Sequence, residues 1–371
     1  MAMARLITNQ FVPDYAVHPG EILEEHLDSL AMSQAELSSR TGLTSKHINE
    51  IIKGKSPVTH ETALKFERVL GRSIQYWVNL QNLYDETMIR LADRKKLEAD
   101  IEWLNGFPIK KMVELKWIEV FRDPVDQVAA LLGFLGVASR EQWKPFSEDS
   151  LAVAFRQSQK SSIKAEAVSA WLRQGERLAQ KISCAPYDRD GFRRALDEAR
   201  LLTREPPQIF QRRLVKLCAD VGVAVAFVPE LPHTGLSGAT KWLTPDKALI
   251  QLSLRYKSDD QLWFTFFHEA GHILLHGKKD VFLEWDEGDS QDKEEEANRF
   301  AADMLIPPDM WRSFIQRSSP TFTSVESFAE QLGLAPGIVV GRLQHDKHVL
   351  FSWGNRLKRR FVWKSPEKTE E

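Results

Sequence analysis

Only two cysteines occur among the 371 residues, Cys184 and Cys218. They are far apart and outside any CxxC spacing. A disulfide-stapled secreted fold and a cysteine-based zinc knuckle are therefore excluded, and the pair is expected as small buried hydrophobes in a reducing compartment. No run of 18 consecutive apolar residues exists, and residues 1–20 hold no apolar core of signal-peptide length, so the expectation is a cytoplasmic protein without a membrane partner. An excess of one charge is missing too. Lys and Arg number 50 against 52 Asp and Glu, a net of −2, so no global basic surplus advertises nucleic acid and any such surface must be local. Low-complexity tracts are also absent. What is present is a globular profile, 43% hydrophobic with 11 Trp and 20 Phe, in a chain long enough for two or three domains.

Along the chain, residues 18–90 read as short helices separated by polar turns. Residues 91–135 open with a charge-rich helix and end in an apolar helix stopped by Gly136, and helical periods recur at 165–181, 190–202 and 208–221. At 223–228 the pattern switches to a short β-rich run closed by proline, and 248–254 alternates as a second strand. Turn residues at 235–238 precede a third strand, expected as the edge of a hairpin. The fold class is mainly α with an α+β part. Four domains are expected: 1–92 an all-α helix-turn-helix domain, 93–204 a helical linker domain, 205–318 an α+β domain with a small sheet, and 319–371 a helical pair with a basic tail.

Residues 33–55 (SQAELSSRTGLTSKHINEIIKGK) have the spacing that folds two helices across a tight turn. Ser33 with Glu36 forms a capping box, Gly42 supplies the turn, and Thr44 or Ser45 caps the second helix. Leu37, Leu43, Ile48 and Ile51 are then buried, leaving Ser45, Lys46, His47, Asn49 and Lys53 exposed on the second helix, with Lys55 just beyond and Gln34 facing the same way. Such side chains reach base edges and phosphates in a major groove. Residues 1–90 carry nine Lys and Arg against eleven Asp and Glu. One copy would thus bind DNA weakly, and a dimer reading two half-sites would compensate.

The most informative stretch is 264–276. His268 and His272 are four apart and lie one above the other on a helix, spaced for one metal ion. Glu269 beside them is placed as general base toward water on that metal. The helix is apolar nearly all round except for a stripe of Thr265, His268, Glu269, His272 and His276, and ionisable groups in such a setting need a compensating partner. Ser258 with Gln261 is expected to cap it and Gly277 to end it. His276, two turns from His268, is too far to share the ion. The third ligand is sought in the helix 290–308, whose inward face is Ala297, Phe300, Ala301, Met304 and Leu305. At roughly 100° per residue Glu294 falls on that face. Glu284, Asp286, Glu287, Asp289, Asp292, Glu295 and Glu296 read as solvated, and Asn298 is placed to hold a ligand by a hydrogen bond. Zinc is the expected cofactor.

Residues 18–25 (HPGEILEE), the helix-turn-helix, 57–64 (PVTHETAL) and 77–81 (WVNLQ) resemble the HigA-type antitoxins of the XRE class. This resemblance implies a homodimeric repressor on double-stranded palindromic operator DNA, often autoregulating a toxin–antitoxin operon with a cognate toxin. Residues 268–272 (HEAGH), 294–302 (EEEANRFAA), 238–242 (GATKW) and 263–267 (WFTFF) resemble the ImmA/IrrE metallopeptidases. That resemblance implies a zincin-like domain cleaving repressors or regulators. Together they give the expected function: a DNA-binding regulator with a zinc-dependent endopeptidase domain that relieves repression by cleaving a regulatory protein or partner. In the alternative the second domain is non-catalytic, a sensor or toxin-docking module. Residues 324–343 repeat the helix-turn-helix spacing but offer Pro336, Gly337 and Val340 where bases would be read, and are expected to be structural. The tail, with Arg356, Lys358, Arg359, Arg360 and Lys364, is expected as an exposed edge strand guarded by charge.

Overall fold

The computed structural model describes residues 15–143, 163–277, 282–283, 291–317 and 320–363. The start of the chain, the acidic residues Glu284, Asp286, Glu287 and Asp289, the boundary at 318–319 and Lys364 lie outside the described residues. The chain divides into two compact units, Met1–Ile101 and Glu102–Glu371.

The first unit is all helical: α1 (Pro19–Ser29), α2 (Gln34–Thr41), α3 (Ser45–Ile52), α4 (His60–Leu70) and α5 (Ile74–Glu98). Local chemistry sets the boundaries. The Ser33 hydroxyl accepts the Glu36 amide at 3.1 Å and Thr44 accepts that of His47 at 3.1 Å, each supplying one of the acceptors a helix start lacks. Gly42 ends α2 at φ 71°, a left-handed conformation that glycine adopts without a Cβ penalty. The expected Ser33–Glu36 box is only half formed, because the Glu36 carboxylate pairs with Arg40 one turn on. Leu23, Leu37, Ile48, Ile51, Phe66 and Trp77 are fully buried in one core, while Leu43 packs half-buried at its margin. Helices α1 and α3 cross closely: a Cβ on Gly20 would stand 2.0 Å from the Ile51 carbonyl oxygen.

The second unit holds α6 (Ile109–Glu114), α7 (Pro124–Leu135), α8 (Ala165–Gln180), α9 (Arg189–Leu201), α10 (Pro207–Ala219), β1 (Val223–Phe227), β2 (Gly238–Thr244), β3 (Lys247–Leu252), α11 (Asp259–Leu275), β4 (Phe282–Leu283), α12 (Gln291–Leu305), α13 (Pro308–Arg317), α14 (Phe322–Leu332) and α15 (Pro336–His345). The sheet order is β1-β3-β2-β4. β1 runs parallel to β3, and β2 is antiparallel to it from Gly238↔Leu252 to Thr244↔Lys247, so β2 and β3 form a hairpin that turns at 245–246. β2 is not the outermost strand: β4 pairs with Ala239 and Thr240. Side chains alternate across the sheet. Val223, Val225, Ile250 and Leu252 join the core with α10 and α11, while Gln251 faces α8, donating to the Trp171 carbonyl at 2.7 Å. The same core takes in Phe192, Phe210, Leu305, Phe328, Val339 and Phe361, so α9, α10 and the chain after 319 are packed with it. Both cysteines are free thiols.

The C-terminal tail departs from the expected exposed strand. It straps the start of α11, with Asp259 N–H donating to the Arg359 carbonyl at 3.0 Å and Phe361 N–H to that of Lys257 at 2.9 Å. Lys358 Nζ reaches Asp260 Oδ2 at 2.6 Å and Arg359 Nε reaches Asp259 Oδ2 at 3.4 Å. Ser258, occupied with Arg360 in an antiparallel bridge, makes no side-chain cap. α11 ends at Leu275 with His276 as its cap, one residue before Gly277. Helices α14 and α15 are packed into the same core through Val325, Phe328, Ile338 and Val339. α15 lies on α11 through glycines, and a Cβ on Gly337 would stand 2.4 Å from Asp259 Oδ1 and one on Gly341 2.7 Å from Asp260 Oδ2. Among the described residues no helix is long and apolar enough to cross a membrane.

Candidate functional site

Helices α11 and α12 cross at small residues. Gly271 faces Ala297, and a Cβ there would stand 3.3 Å from the Ala297 Cα, so the backbones approach and the polar residues flanking the crossing are brought together. His268, Glu269 and His272 are buried at 1%, 0% and 1% exposure. The His268 and His272 Nε2 atoms are 2.9 Å apart, and Glu294 Oε2 and Oε1 stand 3.1 and 3.5 Å from them respectively. Ligands roughly 2.0–2.1 Å from a tetrahedral ion stand about 3.3 Å apart, so the three side chains fit a single metal ion and leave a fourth position. His268, His272 and Glu294 form the metal-type cluster found among the described residues.

The surrounding hydrogen bonds fix the ring orientations. His268 Nδ1–H donates to Asn298 Oδ1 at 2.9 Å, which turns the Nε2 lone pair toward the cluster. His272 Nδ1 lies 2.9 Å from His276 Nδ1, and His276 Nε2–H donates to Glu296 Oε2 at 3.1 Å. His276 is thus no ligand, as its spacing indicated, but it buttresses one. Glu296, read from sequence as solvated, is its partner. Burial pushes the His272 imidazole down to about 4, keeping a neutral lone pair. For Glu294 burial acts upward, but the facing imidazoles of His268 and His272 outweigh it and hold the carboxyl at about 2. Glu269 extends from α11 toward β2, where Thr240 Oγ1 donates to its Oε2 at 2.5 Å. Gly238 lies against the same carboxylate, since a Cβ there would stand 2.5 Å from Glu269 Oε1. Neither Thr240 nor Gly238 was singled out as functional, although both lie in the 238–242 run; nothing in their residue types pointed to Glu269.

In the first unit, Ser45, Lys46, His47 and Asn49 lie on α3, Lys53 caps its end, and Lys55 follows. Ser45, Lys46, Lys53 and Lys55 are exposed, and His47, Asn49 and Gln34 are partly so. The Lys46 side chain is 85% exposed, 3.9 Å from Glu50, a loose pair that leaves it able to reach a phosphate.

The fold and the two sites define a helix-turn-helix protein with a His-His-Glu metal-type centre on a second, mixed-sheet unit. Residues 23–77 match the helix-turn-helix family model and 222–344 the IrrE N-terminal-like domain of the M78 peptidases. Virulence-associated protein I of Dichelobacter nodosus is 36% identical over 87 residues, 23% of this chain and 78% of that protein. The uncharacterized HTH-type transcriptional regulator YddM of Escherichia coli K12 is 36% identical over 66 residues, 18% of this chain and 70% of that one. The antitoxin HigA of Pseudomonas aeruginosa, solved with the higBA promoter, is 29% identical over 23% of this chain and 95% of its own, with a TM-score of 0.22. Through residues 23–77 the chain belongs to the helix-turn-helix family it shares with the first two relatives, in a domain similar to HigA antitoxins, and residues 222–344 add an IrrE N-terminal-like domain.

Proposed function

We propose that the chain is a DNA-binding regulator whose second unit is a zinc-dependent endopeptidase, cleaving a regulatory protein or partner to relieve repression. The observation that carries the enzymatic half is Glu269: a metal site that only braced the fold would not need a fully buried carboxylate beside its ligands. His268, His272 and Glu294 would hold zinc. Zinc bound there would supply Lewis acidity toward a water molecule and a peptide carbonyl. Glu269 takes the proton of the attacking water and hands it to the departing amine. Thr240 keeps the Glu269 carboxylate aimed, and Asn298 does the same for the His268 ring. The apolar surroundings of α11 exclude bulk water, which strengthens these interactions.

In the regulatory half, α3 enters the major groove of operator DNA. Lys46, Asn49, Lys53 and Lys55, with Gln34, Ser45 and His47, contact bases and phosphates. The first unit has little basic surplus, so a homodimer spanning a palindrome supplies the affinity. The HigA protein solved with its promoter is a precedent for this face.

Two assays test the reading. Zinc-loaded protein should cut β-casein and Glu269→Gln should not; equal cutting by both removes Glu269 from the chemistry, and zinc-loaded protein that leaves casein intact favours the sensor reading. A duplex selected from random sequence should lose binding to Lys46→Ala with Asn49→Ala. Undiminished binding would make the first unit a protein-docking module.

A further inference from the structure

Beside the metal centre a cleft of about 550 Å³ opens between α11, α12 and α15. It reaches from His268 and Glu294 to Asp260, eight residues or about 12 Å back along α11. A single side chain held at the metal does not cover that distance. An extended chain, advancing roughly 3.3 Å per residue, covers it in three to four residues. The lining is mostly polar, and its charges are balanced. Lys358 Nζ donates to Asp260 Oδ2 at 2.6 Å and Arg342 Nε to Asp346 Oδ2 at 2.7 Å, while Arg299 and Asp303 stand one turn apart on α12. With these charges matched the cleft selects no net charge. What it presents is a mixed row of donors and acceptors, the complement of a main chain that offers an N–H and a C=O at every residue.

Two of the lining groups stand out. The His345 ring centroid is 6.4 Å from that of Phe264, which is 6.3 Å from that of His268, so His345 stands beside the helix turn next to the metal. His345 Nδ1–H donates to Asp346 Oδ1 at 3.0 Å, and Trp311 Nε1 fixes the same carboxylate through Oδ2 at 3.0 Å. The ring is thereby oriented and its Nε2 is left for a ligand. Two turns from the metal is Asp260, 4% exposed, whose Oδ1 is buried without a hydrogen-bond partner among the described residues. A buried acceptor in that state is costly unless something satisfies it. We infer that the cleft holds the extended main chain of a peptide substrate for three to four residues on one side of the scissile bond, and that Asp260 Oδ1 accepts an N–H of the last of them. The inference rests on the open metal centre proposed above. His345 and Arg342 serve the main chain between the two ends.

The test measures binding and needs no turnover. Calorimetry on the zinc-loaded full chain would use two series of alanine peptides, one to six residues long, with acetohydroxamate as the bare metal-binding reference. Acetyl-oligoalanine hydroxamates extend on the N-terminal side of the metal-binding group, and malonyl hydroxamates carrying the same alanines extend on the C-terminal side. Alanine offers the cleft little beyond its main chain. One series should gain affinity with each residue up to three or four and then level off. Replacing the last contributing N–H by an ester oxygen should cost about tenfold, the size of one hydrogen bond to a charged acceptor. Asp260→Asn turns its amide oxygen to Lys358 and offers the cleft a donor, so it should cost the full-length peptide as much and the one-residue ligand nothing. Two flat series, a gain that continues through all six residues, or an ester that binds as well as its amide overturns the groove. Acetohydroxamate that fails to bind overturns the open metal centre itself, a separate result. If Asp260→Asn does not fold, the ester on the wild-type chain decides alone.

Discussion

Replacing Lys358 by alanine tests whether the C-terminal strap holds the metal-binding helix in place. The pair it removes is buried, with side-chain exposures of 12% for Lys358 and 4% for Asp260. Removing one partner of such a pair leaves an uncompensated charge and costs about 3–5 kcal/mol. In a unit this size each kcal/mol moves Tm by roughly 2–4 °C, so scanning calorimetry at pH 7 should find the second unit melting about 8–15 °C lower. Because the pair is buried, raising salt to 1 M should not erase the difference. Lys358→Met combined with Asp260→Leu, which removes both charges, should recover most of the loss. A single-variant shift under about 2 °C would refute the strap as a source of stability.

Gly20→Ala should destabilise the first unit by roughly 1–3 kcal/mol, because its Cβ meets the Ile51 carbonyl; a chemical melt should find the change and operator binding should weaken with it. The His18 ring accepts the Gly20 amide at 2.9 Å, and burial pushes its pKa below the usual 6.5. The folded state thus prefers the neutral ring, and its contribution is complete above about pH 6.5 and lost as pH falls through the depressed value. Amide exchange in α1, corrected for intrinsic rate, should quicken at pH 5 in the wild type and much less in His18→Asn, which caps without titrating. Asn298→Ala should lower zinc affinity by about 10–100-fold, read by competition with a chelating dye; unchanged affinity would deny Asn298 its orienting role.

Where chemistry was local, the sequence sufficed. Four-residue spacing placed His268 and His272 together, helical phase singled out Glu294 from its acidic neighbours, and the same phase found Asn298. Gly42 and the caps Ser33 and Thr44 were readable because each acts within three residues. What escaped joins distant segments. The pairing of Lys358 and Arg359 with Asp260 and Asp259 spans about a hundred residues, so a basic tail looked like a guarded edge. The Ser258 cap failed because that same tail took its place. Thr240 was missed since a hydroxyl on a strand has no local signature, whereas Glu296 is exposed as its place in the acidic run implied and meets His276 from the surface. β4, two residues long, has no periodicity to detect.

The most direct test of the central claim is metal content by mass spectrometry on purified wild-type, Glu294→Ala and Glu269→Gln proteins. About one zinc per chain, kept in Glu269→Gln and lost or weakened in Glu294→Ala, is the predicted result. A wild-type chain that holds no metal and takes up none when zinc is added would contradict it.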